Sequence, residues 1–182
     1  MIQEGNLVLR PVEEADIPLV ARWMNNVHVS HWMDYDAPVS EAEVRTDIRR
    51  ARAEGVALVI EVDKVPVGRI GLNQLRPRDR RASTYMYIGE DTYRGRGYGS
   101  KAMQLLLNYA FEVKNLRLVE LWALAHNEAA LANYKKVGFR EDARLRARSF
   151  HGRHAIDGGE PGYVDTVIMS ITDEEFRALV GG

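Results

Sequence analysis

The ten residues YRGRGYGSKA, Tyr93 to Ala102, set glycines at 95, 97 and 99, flank them with Arg94 and Arg96, and lead into an apolar pattern of helical spacing. Chemically, this is an arrangement for holding an anion. A glycine turn at a helix start brings unpaired N–H groups and the positive end of the helix dipole to one point. Missing Cβ atoms let an oxygen approach the main chain, and the arginines add charge-assisted donors. Two phosphate motifs fail on spacing. Counting Gly-x-Gly-x-x-Gly from Gly95 puts the third glycine at Ser100, and a P-loop is broken because Lys101 follows Ser100 and precedes Ala102. On these ten residues alone, an ordinary strand-to-helix turn with solvated arginines fits equally well.

Other reactive residue types are sparse. There is no cysteine, which excludes a disulfide framework, a thiolate nucleophile and a Cys-based zinc site. His28, His31 and His126 carry imidazoles that titrate near neutral pH and could take a proton, although a lone histidine is more often structural. His28-x-x-His31 with Asp34 and Asp36, and His151-x-x-His154 with Asp157, can be drawn as metal sites. Neither completes the ligand set of a structural zinc, so the expectation is no metal. With 25 basic and 26 acidic residues the net charge is −1, which argues against a nucleic-acid or anionic-membrane partner. The basic run RPRDRR, Arg76 to Arg81, reads as a solvated hairpin tip. No stretch approaches the ~18 apolar residues of a membrane span, and the start MIQEGNLVLRPVEEAD lacks a cationic leader, so a cytoplasmic protein is expected.

The elements that must position these groups follow from periodicity. The 182 residues, 46% of them hydrophobic, suit one domain over 1–182 with one well-buried core. Asn6 to Val12 reads as an opening strand, and Asp16 as the cap of a helix with Leu19, Val20, Trp23 and Met24 on one face. Ser40 and Glu43 form a capping-box pattern ahead of a helix from Glu41 to about Glu54. Val56 to Val62 and Val65 to Leu75 form a hairpin about Asp63–Lys64, followed by a strand from Ser83 to Gly89. After the glycine turn, Ala102, Met103, Leu106, Leu107, Ala110 and Val113 recur at helical spacing. Leu116 to Ala125 is a further strand, and NEAALANYKKVG a short helix ended by Gly138. Strands over Phe139 to Phe150 and Tyr163 to Ile171 and a helix from Asp173 close the chain. The tryptophans at 23, 32 and 122 mostly suit the core.

In order along the chain, RRAS before the central strand, RGRGYGSKA, LLLNYAFE and AHNEAALANYKKVGF resemble the GNAT superfamily of acetyl-CoA-dependent N-acetyltransferases. The likeness is to its branch of ribosomal-protein and spermidine N-acetyltransferases, and spans roughly Val8 to Ile171. It implies an α/β GNAT fold: a mixed, mostly antiparallel sheet of about seven strands, flanked by helices and splayed where acetyl-CoA binds. It further implies that the anion is the pyrophosphate of coenzyme A, held at Arg94, Gly95, Arg96, Gly97, Tyr98, Gly99 and Ser100. Ile88 and Gly89 would offer unpaired backbone groups to the pantetheine arm and acetyl carbonyl. Asn127 would fix the arm or a water, a position that a plain helix cap also explains.

Tyr134 matches the tyrosine that protonates the leaving thiolate in this family. A departure occurs at the base: where relatives often carry a glutamate after RRA, this chain has Ser83. That hydroxyl, with Tyr85 on the same face, can only relay a proton through water; Glu90 and the histidines are other candidates. The expected reaction is direct transfer of acetyl to a primary amine of a small molecule or a protein. Polyamines, protein N-termini and aminoglycoside-like amines all remain open. A CoA-binding regulatory module of the same fold is the alternative. Relatives are commonly dimers, so a homodimer is compatible with the sequence. HGRHAIDGGEPGYVD, with four glycines and one proline, reads as an excursion near the acceptor site.

Overall fold

The computed structural model describes residues 1–33, 38–151 and 162–181. A short hairpin, β1 (Ile2–Glu4) and β2 (Leu7–Pro11), leads into α1 (Ile17–Met24), α2 (Val27–Met33) and α3 (Glu41–Glu54). Three meander strands follow, β3 (Val56–Val62), β4 (Val65–Arg76) and β5 (Arg81–Ile88). The chain then crosses over through α4 (Tyr98–Asn108) to β6 (Leu118–Leu124). Next come α5 (Glu128–Val137), β7 (Arg140–His151), β8 (Gly162–Thr172) and α6 (Asp173–Val180). The sheet has eight strands in the order β1-β2-β3-β4-β5-β6-β8-β7, parallel at β5–β6 and antiparallel elsewhere. The eighth strand is β1, whose three residues are too few to show alternation in sequence.

Two apolar layers cover the two faces. On one, Ala102, Met103, Leu106 and Leu107 of α4 pack with Phe176 of α6 against strand residues such as Ile70, Val119 and Val167. On the other, Val20 and Trp23 of α1 and Val44 and Ile48 of α3 meet Val59 and Tyr87. The β3–β4 turn has positive φ at both Asp63 (51°) and Lys64 (64°), the geometry of a tight two-residue hairpin.

Several local expectations change in detail. The Ser40–Glu43 capping box forms, with Ser40 N–H donating to Glu43 Oε2 at 2.7 Å and Glu43 N–H to Ser40 Oγ at 3.3 Å. Asp16 does precede α1, but its carboxylate accepts from Glu13 N–H (2.7 Å) and pairs with Arg10 (2.7 Å) and does not cap that helix. The α4 helix ends in a π turn, Tyr109–Val113. That wider turn rotates the last apolar positions, burying Phe111 and leaving Val113 68% exposed, against its expected place in the core. Trp122 is likewise half exposed. At the far edge, β7 presents Arg140, Arg144, Arg146 and Arg148 outward and is broken by two register shifts. Among the described residues, no helix is long and apolar enough to cross a membrane.

Candidate active site

Among the described strands, the one parallel pair is a short junction inside the sheet. β5 and β6 are in register for three residues, Arg81↔Leu118, Ala82↔Val119 and Ser83↔Glu120, and then part. Beyond that point β5 stays bonded to β4 and β6 to β8, so a V opens between the two strands. A cleft of about 560 Å³ lies there, reached by residues of β5, β6, α2, α4 and α5.

The glycine turn stands at the mouth of this cleft. Gly95 (φ 71°) and Gly97 (φ 82°) both adopt left-handed backbone, while a Cβ on either would meet nothing within 4 Å. Glycine is required there by conformation, with no steric need. Gly97 is the N-cap of α4, and the first helical bond runs from Lys101 N–H to Gly97 O at 3.2 Å. The N–H groups of Tyr98, Gly99 and Ser100 therefore have no intrahelical acceptor. Arg94 is braced by Nε to Ile88 O (2.9 Å) and Nη1 to Asp91 Oδ1 (2.8 Å), and its Nη2 is buried with no hydrogen-bond partner. An unmatched buried cationic donor beside a free helix start fits a phosphate-bearing ligand. Arg96 points elsewhere: it is exposed, with its guanidinium 6.0 Å from the Tyr93 ring.

Deeper in, Tyr134 of α5 lines the cleft and packs edge-on against Phe139, ring centroids 5.9 Å apart. Burial pushes its phenol up to about 12. Asn127 caps α5 by accepting from Ala130 N–H at 3.1 Å and also lines the cleft, so its cap role and its site position coexist. Ser100 Oγ donates to Asn133 Oδ1.

The backbone at the end of β5 divides unevenly. Gly89 N–H donates to Val67 O at 2.8 Å, so it is not an unpaired donor, and the residue has no place on the cleft wall. What Gly89 provides is room, since a Cβ there would enter the Trp23 indole, whose Nε1 is tied to Glu90 Oε1 at 2.7 Å. In an antiparallel ladder the bonded pair Gly89–Val67 makes Gly68–Ile88 a non-bonded pair, which turns the Ile88 N–H toward the open side.

Ser83 and Tyr85, expected to relay the acceptor's proton, lie outside the cleft wall. Tyr85 OH faces the buried Arg69 guanidinium at 3.3 Å, which is itself paired with Asp47 at 3.0 Å, and burial raises the Tyr85 phenol. Ser83 sits at the apex of the V, its Oγ donating to Glu120 Oε1 at 3.2 Å. Glu120, also paired with Arg81, is the carboxylate that sequence reasoning passed over, because the two positions become neighbours only through the β5–β6 register. Glu90 is held by Arg22 and Trp23. His28 and Trp32 line the cleft from α2, a helix that no sequence pattern announced. Residues 34–37 and 152–161, which include Asp34, Asp36, His154, Asp157 and most of the glycine-rich excursion, lie outside the described residues.

Known proteins give the same answer. Residues 6–140 match the family described as Acetyltransferase (GNAT) domain. Spermidine N(1)-acetyltransferase of Escherichia coli K12 is 30% identical over 145 residues, covering 78% of this chain and 77% of the relative. A putative ribosomal N-acetyltransferase, YdaF of Bacillus subtilis, is 26% identical over 150 residues, covering 78% and 81%. Among solved structures, the Vibrio cholerae spermidine N-acetyltransferase in complex with CoA and spermine superimposes with a TM-score of 0.84 at 20% identity, over 95% of this chain and 99% of that one. The chain belongs to the GNAT acetyltransferase family and is an acetyl-CoA-dependent N-acetyltransferase.

Proposed function

We propose that this enzyme acetylates a polyamine by direct attack of a primary amine on the thioester, with no covalent enzyme intermediate. The observation that carries the reaction is the V between β5 and β6, with the free start of α4 at its mouth and Tyr134 on its wall. The polyamine reading leans on the spermidine-acetylating relative, and the indoles of the half-buried Trp32 and the exposed Trp122 on the cleft wall suit a cationic amine. Bound acetyl-CoA supplies the activated acyl group, and the rest falls to the chain. The N–H groups of Tyr98, Gly99 and Ser100 with Arg94 Nη2 hold the phosphates. Ile88 N–H is the donor turned toward an acyl oxygen in the gap. As the C–N bond forms and the C–S bond breaks, the electron pair goes to sulfur, and Tyr134 gives that sulfur its proton. The ammonium proton leaves through water toward Ser83 and Glu120.

A thiol-release assay with acetyl-CoA and a panel of spermidine, spermine, an N-terminal peptide and an aminoglycoside tests the acceptor. Spermidine or spermine should show the highest kcat/KM. Preference for the peptide would move the acceptor to protein N-termini, and no release above hydrolysis with any amine, despite acetyl-CoA binding, would leave a regulatory module.

Glu120 has its own test in the pH profile of kcat/KM. A substrate amine is mostly protonated at neutral pH, so the rate rises with pH as the attacking form accumulates, and a fixed carboxylate that accepts the proton flattens that rise. Glu120→Gln should displace the profile to higher pH while acetyl-CoA affinity holds. Superimposable profiles would remove Glu120 from the proton path.

A further inference from the structure

Three histidines from distant parts of the chain meet beside the cleft. His31 comes from α2, His126 from the turn between β6 and α5, and His151 from the end of β7, and one ligand atom of each lies within 4.8 Å of the others. His31 and His151 are closest, Nε2 to Nε2 at 3.1 Å, with ring centroids 4.2 Å apart, and the His126 ring is 4.5 Å from that of His151. Trp32, on the cleft wall, packs against all three rings at 4.3, 5.4 and 5.9 Å. The acetyl-transfer chemistry derived above uses none of them.

From this geometry we propose that His31, His126 and His151 bind a divalent transition-metal ion of the Zn²⁺ class, with a fourth position open to water or ligand. Imidazole is the preferred nitrogen ligand of such ions, and three histidines with one open position is an established coordination pattern for zinc. A tetrahedral ion at the usual Zn–N length of about 2.05 Å spaces its nitrogens about 3.3 Å apart, close to the 3.1 Å found for His31 and His151. His126 supplies the independent sign. Its Nε2 is buried and has no hydrogen-bond partner, a condition that a buried polar nitrogen rarely tolerates unless something else satisfies it. Trp32 provides the apolar shell that keeps solvent from one side of such a site. Of the two sequence pairs, His28 with His31 is not the grouping made among the described residues, and the partner proposed for His151, His154, lies outside them.

The test is Co²⁺ titration of untagged, chelator-treated protein, followed by Zn²⁺ competition. The expected result is one saturable equivalent with the intense visible bands of four-coordinate Co²⁺, abolished by Zn²⁺. Losing even an outer-shell partner costs a metal site about 10–100-fold in affinity, so His126→Ala and His151→Ala should each weaken binding at least ~10-fold while retaining the wild-type circular dichroism spectrum. His28→Ala, outside the cluster, should leave it unchanged. Absence of saturable binding, a weak six-coordinate spectrum alone, or undiminished affinity in folded His126→Ala would overturn the site. None of these readouts depends on acetyl transfer.

Discussion

Replacing Tyr134 by Phe should lower kcat by ~10²-fold or more and leave acetyl-CoA affinity nearly unchanged, because a positioned acid or base contributes about that much. Only one oxygen is removed, so the packing against Phe139 survives. A phenol raised to about 12 is a poor acid in water, but the site that raises it disfavours a thiolate for the same reason, so the two partners move together. The sign for pH follows directly. A group with a raised value keeps its proton below that value and loses it only as pH climbs through it, so Tyr134 should cause no falling limb in kcat between about pH 7 and 10. A variant with wild-type kcat, or a wild-type falling limb that Tyr134→Phe abolishes, would reduce Tyr134 to packing or assign it a lower proton affinity.

Gly97→Val should weaken acetyl-CoA binding roughly 10- to 100-fold, the scale of losing one or two hydrogen bonds to a charged group. The reason is conformational. Valine at φ 82° is strained by its branched side chain, and the turn relaxes by swinging the first N–H groups of α4 off their common point. A Cβ at this position meets no neighbour within 4 Å, so the fold itself should survive, with thermal unfolding of the apo protein lowered only by the backbone strain of about 1–3 kcal/mol. Isothermal titration with acetyl-CoA reads the effect. Unchanged affinity in the folded variant would detach the glycine turn from the cofactor.

What could be read in the sequence was whatever sits in a few consecutive residues. The glycine turn, the Ser40–Glu43 box, the Asp63–Lys64 hairpin and the stop at Gly138 are local devices, and each stands where spacing put it. The helix α2 escaped because seven residues, VHVSHWM, offer barely two turns of periodicity. Val113 was misplaced since a π turn breaks the 3.6-residue period on which its assignment depended. Site chemistry was less legible than fold, and for one physical reason: it depends on which strands neighbour which. Glu120 reaches Ser83 across 37 positions and His151 reaches His31 across 120. Gly89 looked like a donor until the ladder with β4 claimed its N–H.

A sheet ordinarily has two raw edges, and raw edges invite foreign strands. The outer two are blunted here, by the brevity of β1 and by the arginines and bulges of β7. Parting β5 from β6 creates two more edges, yet these face each other across a gap, so neither can template a growing aggregate while each remains open to one slender guest. Closing the ladder along both strands would add backbone pairing and make a sturdier, inert protein. Thermostability selected without regard to turnover should therefore press on this junction, and the three-residue β5–β6 register marks where robustness and activity compete for the same peptide groups.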